Sequence, residues 1–305
     1  MFNRPNSTDS KYLLADYVEY KCFTNGESVS SGSLRFLISA SDDEIENDGV
    51  ESSDDRSIDL LDEAIDECSD RNEKCNGRYP FVTNSRTLEV SPETPSYIAE
   101  IYFFLLLATR LDMNTKKIQG GEDATKLFER LCALVAREYY GTHSKSMVFG
   151  TACPGGFKDK VNSLLKTLKI DATYRPPLGS TGRMKDGNLD VVVWIPFSDS
   201  KDGQFIGMGQ CKTGDNWESM LSELNPSDFF DNYTTNSPFA PVTRLFFVTE
   251  SFGMYKWEER CRQGGILFDR TRIMEYLPEI IEPNLLASIV SWNQAAKSSI
   301  KDEVD

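Results

Sequence analysis

The feature that most constrains this chain is a pair of β-rich runs, Leu189 to Ile195 (LDVVVWI) and Phe205 to Lys212 (FIGMGQCK). Between them lies SDSKDG, whose small and polar residues favour a chain reversal, so the runs read as an antiparallel hairpin. Side chains alternate across a strand. Asp190, Val192 and Trp194 therefore share one face, Leu189, Val191, Val193 and Ile195 the other, and Gln210 shares a face with Lys212. A turn centred near residues 200 to 201 pairs positions whose numbers sum to 400 to 402, which sets Asp190 opposite residues 210 to 212. The spacing predicts a carboxylate, an amide oxygen and an ammonium together at the open end of the ribbon.

Around this hairpin the chain reads as an alternating α/β domain from residue 115 to 305. Residues 122–140 place Leu127, Leu131, Leu134 and Val135 on one helical face stopped by Gly141, and a second helix covers about 157–169. Apolar strands are expected at 244–249 and 266–268, with a closing helix from Thr271 to Leu277. Residues 1–114 read as a separate, mainly helical and acidic region, with helices near 11–21, 57–71 and 96–112 and an acidic loop near 41–56. Tyr97 to Ala108 is almost wholly apolar, but its twelve residues fall short of the roughly 20 a spanning helix needs. A buried core helix is expected there, with no membrane partner.

Charge and rare residues exclude several chemistries. The net charge of −15 divides unevenly: Lys and Arg against Asp and Glu number 10 to 23 in residues 1–114, 13 to 6 in 115–185 and 10 to 19 in 186–305. A basic block thus precedes the hairpin in an acidic chain, and it is local charge that a phosphate backbone feels within a Debye length. The seven cysteines form no CxxC pair, which fits reduced thiols. The single histidine, His143, leaves little scope for a zinc site or a histidine-based hydrolase, and reads as a loop residue. The first residues carry neither a basic segment nor an apolar one of the secretory kind, so a cytoplasmic protein is expected.

Phosphodiester hydrolysis needs hard oxygen ligands for a Mg²⁺ ion and a cation beside the nucleophile. Asp190, the side-chain oxygen of Gln210 and the backbone carbonyl of Cys211 supply the first, and Lys212 the second. Because Gln210 is neutral, a further carboxylate is wanted, and Glu129 on the 122–140 helix is the candidate. GNLD (Gly187 to Asp190), QCK (Gln210 to Lys212), the upstream FE pair (Phe128, Glu129) and GGILFDRTRIMEYL (Gly264 to Leu277) together resemble the PD-(D/E)XK nuclease superfamily, in particular its Mrr-type branch with a D…QxK motif. Leu189 stands where many members carry Pro. The resemblance covers roughly residues 120–280. It implies a restriction-endonuclease-like α-β-β-β-α-β core, dependence on Mg²⁺ or Mn²⁺, and cleavage of DNA.

The chain is accordingly read as a metal-dependent nuclease with catalytic Glu129, Asp190, Gln210 and Lys212. Lys158, Lys160, Lys166, Arg183 and Lys185 are its candidate phosphate contacts. Its general look is that of the effector of a bacterial anti-phage defence system. The acidic N-terminal region would dock a helicase or sensor subunit or hold the effector inactive, and a homo-oligomer is left open. The alternative is a catalytically inactive nuclease-fold subunit that binds DNA or scaffolds a partner.

Overall fold

The computed structural model describes residues 10–26, 28–30, 52–84, 86–177, 187–199 and 201–301. The chain is a mixed α/β protein. In order it runs α1 (Lys11–Asn25), β1 (Val29–Ser30), α2 (Ser52–Lys74), β2 (Phe81–Asn84), β3 (Thr87–Val90), α3 (Ser96–Arg110), β4 (Ile118–Gln119) and β5 (Glu122–Asp123). It continues with α4 (Ala124–Tyr140), β6 (Lys145–Val148), α5 (Phe157–Thr167), β7 (Val191–Ile195), β8 (Phe205–Lys212) and α6 (Pro226–Tyr233). It closes with β9 (Val242–Val248), α7 (Trp257–Gly264), β10 (Ile266–Phe268), α8 (Arg270–Glu275) and α9 (Pro283–Lys301). Among the described residues, no helix is long and apolar enough to cross a membrane.

A five-stranded sheet in the order β10-β9-β8-β7-β6 forms the centre. Strands β6, β7 and β8 are antiparallel neighbours, while β8, β9 and β10 run parallel, so β8 and β9 deliver their carboxyl ends to the same edge. The alternation of β7 sorts its side chains into two cores. Val191 and Val193 pack with Leu127, Phe128 and Leu131 of α4, and Val192 and Trp194 with Val161, Leu164 and Leu165 of α5. Helices therefore cover both faces, as a sheet with apolar residues on both sides requires. The pairing of Val191 with Gly209 and Val192 with Met208 gives a register sum of 400, within the range expected from the turn.

One detail of the strand reading is corrected. Leu189 packs on the same side as Val192 and Trp194, not with Val191 and Val193, and Asp190, expected with Val192 and Trp194, turns its carboxylate toward Glu129 of α4. The strand begins only at Val191. Before it, Gly187 and Asn188 both adopt left-handed backbone with φ of 66° and 60°, which breaks the two-residue alternation. Residue pairs beyond that turn follow the loop and not the pleat.

Residues on either side of position 114 share one core. Leu14, Ile65, Tyr102 and Phe104 belong to the same buried cluster as Leu131, Phe268, Ile273 and Trp292. Helix α3 is its axis: residues Ile101 to Thr109 are buried without interruption, as expected for an apolar stretch too short to span a bilayer. The N-terminal part also carries a small antiparallel sheet, β1-β3-β2. The acidic stretch near 41–56 lies outside the described residues up to position 51, and Ser52 opens α2, five residues ahead of the expected start at 57.

Candidate active site

Helix α4 brings the first carboxylate. Asp123 caps its N-terminus by accepting from the Thr125 N–H, and the stripe Leu127, Phe128, Leu131, Cys132 and Val135 buries it against the sheet. Glu129 sits beside that stripe and is only 4% exposed. Its Oε1 accepts from the Thr151 N–H at 3.1 Å and the Thr151 hydroxyl at 2.6 Å, and its Oε2 accepts from the Ala152 N–H at 2.8 Å. The loop after β6 is thus tied to α4 through this side chain.

Asp190 precedes β7 and is held by the same loop and by the neighbouring strand. Its carbonyl accepts from the N–H groups of Phe149 and Gly150 at 2.7 and 3.1 Å, and its N–H donates to the Gly209 carbonyl at 2.9 Å. Its Oδ2 accepts from the Cys211 N–H at 2.8 Å. Gly150 reveals where the two carboxylates point: a Cβ built there would stand 2.6 Å from Asp190 Oδ1 and 2.7 Å from Glu129 Oε2. Any larger residue at position 150 would collide with both. The two oxygens therefore flank one small space, with glycine as its floor.

Lys160 supports that floor from below, donating its ammonium to the carbonyls of Phe149 and Gly150 at 3.3 and 2.7 Å. The Cys132 thiol is buried and that of Cys211 partly so. Both are pushed above the ordinary thiol range, first by burial; Cys211 is raised further by Cys132, and both by the charges of Asp190 and Glu129. They are consequently poor nucleophiles, and they act as packing.

Gln210 follows Gly209, which pairs with Val191 and whose carbonyl takes the Asp190 N–H. It is 1% exposed. Its Nε2 donates to Glu223 Oε2 at 2.7 Å, while its buried Oε1 has no hydrogen-bond partner. Lys212 donates to the same Glu223 oxygen at 2.9 Å. Glu223 is the residue that sequence reasoning missed. It lies between a short 3-10 turn (Glu218–Met220) and α6, in a loop with no motif, and only the folded chain brings it to the hairpin.

The fold thus brings Glu129 to Asp190 and couples Gln210 to Lys212 through Glu223. The phosphate-contact candidates divide. Lys158 and Lys166 are exposed on α5, Lys160 is engaged under Gly150, and Arg183 and Lys185 lie outside the described residues. His143 is exposed in the turn after α4, and the seven cysteines are free thiols.

Among the described residues no group of three or more His, Cys, Asp or Glu side chains is arranged to hold a metal ion. The oxygen donors here are of another composition, two carboxylates and an amide, suited to a hard cation. The orphaned Gln210 Oε1 and the space over Gly150 both fit such a guest. Comparison with family models, curated proteins and solved structures finds no match to this chain.

Proposed function

We propose that this chain is a Mg²⁺- or Mn²⁺-dependent nuclease that hydrolyses DNA phosphodiester bonds. The observation that carries the reading is the approach of Glu129 Oε2 and Asp190 Oδ1 to one point above Gly150. Two nearly buried carboxylates, one from a helix and one from the residue before a strand, repel each other, and a cation between them would relieve that repulsion. The run α4-β6-β7-β8-α6-β9, if α5 is taken as an insertion, supports a restriction-endonuclease-like core.

Glu129, Asp190, Gln210 Oε1 and the Cys211 carbonyl would hold the ion. Bound there, it would supply Lewis acidity toward a phosphate oxygen and lower the pKa of a water. The chain's own residues do the rest. Thr151 and Ala152 fix Glu129, and the Cys211 N–H fixes Asp190, so the ligands are in place beforehand. Lys212, the other polar side chain on the Gln210 face of β8, would orient the attacking water or steady the developing charge. The defence setting and a helicase or sensor partner belong to the same proposal, and rest on the resemblance and on the division of charge.

The test is cleavage of supercoiled and single-stranded DNA with Mg²⁺ or Mn²⁺. The full chain should nick or linearise it, and Asp190→Asn and Lys212→Ala should each lose about 10²- to 10⁴-fold. Cleavage that survives both substitutions would overturn the site. Metal-independent DNA binding without cleavage would instead favour the inactive-subunit alternative.

A further inference from the structure

Resting on that reading, we infer that Glu223 is the positioning residue of the site: it turns the Gln210 amide so that its oxygen serves the metal. A carboxylate can only accept hydrogen bonds, whereas a primary amide carries donors on nitrogen and acceptors on oxygen. With Glu223 Oε2 at 2.7 Å from the amide, only the NH₂ end can face it. Gln210 Oε1 is therefore turned the other way, and it is buried there without a partner. One contact settles an orientation that an isolated glutamine would not hold.

Glu223 is itself held firmly. Leu221 and Leu224 on either side are buried, and the Arg244 guanidinium donates to the Leu224 carbonyl at 3.2 Å. Its N–H donates to the Met220 carbonyl at 3.1 Å. Lys212 shares the same carboxylate oxygen, so one residue engages both polar side chains on this face of β8. The arrangement also accounts for an amide at position 210. A carboxylate there would face Glu223 at hydrogen-bond distance with no proton between them. The negative charge sits one residue outward, and the metal-facing oxygen becomes neutral.

The test is Mn²⁺ titrated calorimetrically into the full chain without DNA, for wild type, Asp190→Asn, Glu223→Ala, Glu223→Gln and the double variant Gln210→Glu/Glu223→Gln. Glu223→Ala should weaken Mn²⁺ binding by about 10- to 100-fold, the usual size for loss of a group that orients a ligand. Glu223→Gln keeps an acceptor for both Gln210 and Lys212 and should bind nearly as wild type. The double variant exchanges donor and acceptor, and should bind at least as tightly as wild type.

Wild-type affinity in Glu223→Ala would overturn the inference while leaving the metal site standing. So would a Glu223→Gln variant as weak as Glu223→Ala, because charge and not amide orientation would then be at work. A wild-type chain that binds no Mn²⁺, or an Asp190→Asn chain that binds it unchanged, would overturn the metal reading and the role of Glu223 together. Glu223 is partly exposed, at 38% of its side chain, so these variants should fold, and matching circular dichroism spectra check that they do.

Discussion

Two buried polar clusters in this molecule are built on opposite principles. In the first, where α1, α2, α3 and α8 meet, Asp16 and Glu19 are fully buried among guanidinium groups. Arg71 reaches Asp16 at 2.7 Å and Glu19 at 2.9 Å, Arg110 reaches Asp16 at 2.5 Å, and Arg270 grips Asp16 through two nitrogens at 2.8 and 3.1 Å. Tyr79 and Tyr102 donate to Glu19 at 2.7 and 2.8 Å. In the second, Glu129 and Asp190 are held by backbone N–H groups and turned toward a shared space, and the unpartnered amide oxygen belongs to Gln210, next in the chain to the Cys211 N–H that holds Asp190. The first cluster meets its charges with charges of the same chain. The second closes two carboxylates on one space over Gly150, which is what marks it as a candidate site.

The sharpest way to break this contrast is to remove one carboxylate from each. Asp16→Ala leaves Arg71, Arg110 and Arg270 buried without their common partner. Urea unfolding should show a loss of about 3–5 kcal/mol, the range for a broken buried ion pair. Because Arg270 follows β10 while Asp16 lies on α1, that loss should unfold the whole chain in one transition and not release the N-terminal helices alone. Asp190→Asn should act in the other direction. It relieves one of two carboxylate charges that close on Gly150, and should raise stability by about 0.5–2 kcal/mol in metal-free buffer, the usual size of a stability–function trade-off. A clear loss of stability in Asp190→Asn would mean that its carboxylate is structural, like that of Asp16.

The residues of the candidate site were easier to single out in the sequence than those of the cluster, for a physical reason. Asp190 directly precedes one strand of a hairpin whose other strand carries Gln210 and Lys212, so the hairpin register brings all three to one end of the ribbon. Glu129 could be added because its helix shows a clear apolar stripe. Glu223 could not, since a loop has no period, and its place depends on how Leu221 and Leu224 are buried. The Asp16–Arg270 pair joins residues 254 apart, a separation no local pattern encodes. Helix α9 is a different case. Leu285, Ile289, Trp292, Ala296 and Ile300 form a plain helical stripe, but they lie past the end of the nuclease resemblance and nothing in the motif points to them. The boundary near 114 looked natural because charge composition changes there, yet the core is governed by apolar residues, and these continue across it.

Acid should separate the clusters by a smaller effect. Burial alone would raise the pKa of Asp16, but Arg110, Arg270 and Arg71 outweigh it and hold the carboxyl well below its ordinary range. A depressed folded-state value gives stability that is complete above the unfolded value of about 3.9 and is lost as pH falls toward the folded one. Glu250 and Asp269 have the opposite sign. Burial raises both, so the folded state takes up their protons first and gains stability as pH falls through their folded values. The urea midpoint should therefore change little from neutrality to about pH 5, and drop below about pH 4 as Asp16 titrates. Asp269→Asn should remove part of the compensating gain and make the decline start sooner. A midpoint still rising at pH 3 would show that the Asp16 cluster does not govern acid stability.

The least disruptive changes concern lysines on a single helix, which differ in the same way as the two clusters. Lys158 and Lys166 are exposed on α5, whereas Lys160 spends its ammonium on the carbonyls under the carboxylates. Lys158→Ala and Lys166→Ala should each change stability by less than about 0.5 kcal/mol. If they meet phosphates, each should lower the slope of log affinity against log salt by about one unit, measured by fluorescence anisotropy on a DNA duplex. Lys160→Ala should barely alter that slope, because its charge is already engaged, but should weaken Mn²⁺ binding by loosening the Phe149–Gly150 floor. Three lysines that shifted the salt slope equally would place Lys160 with the surface charges and remove it from the architecture of the site.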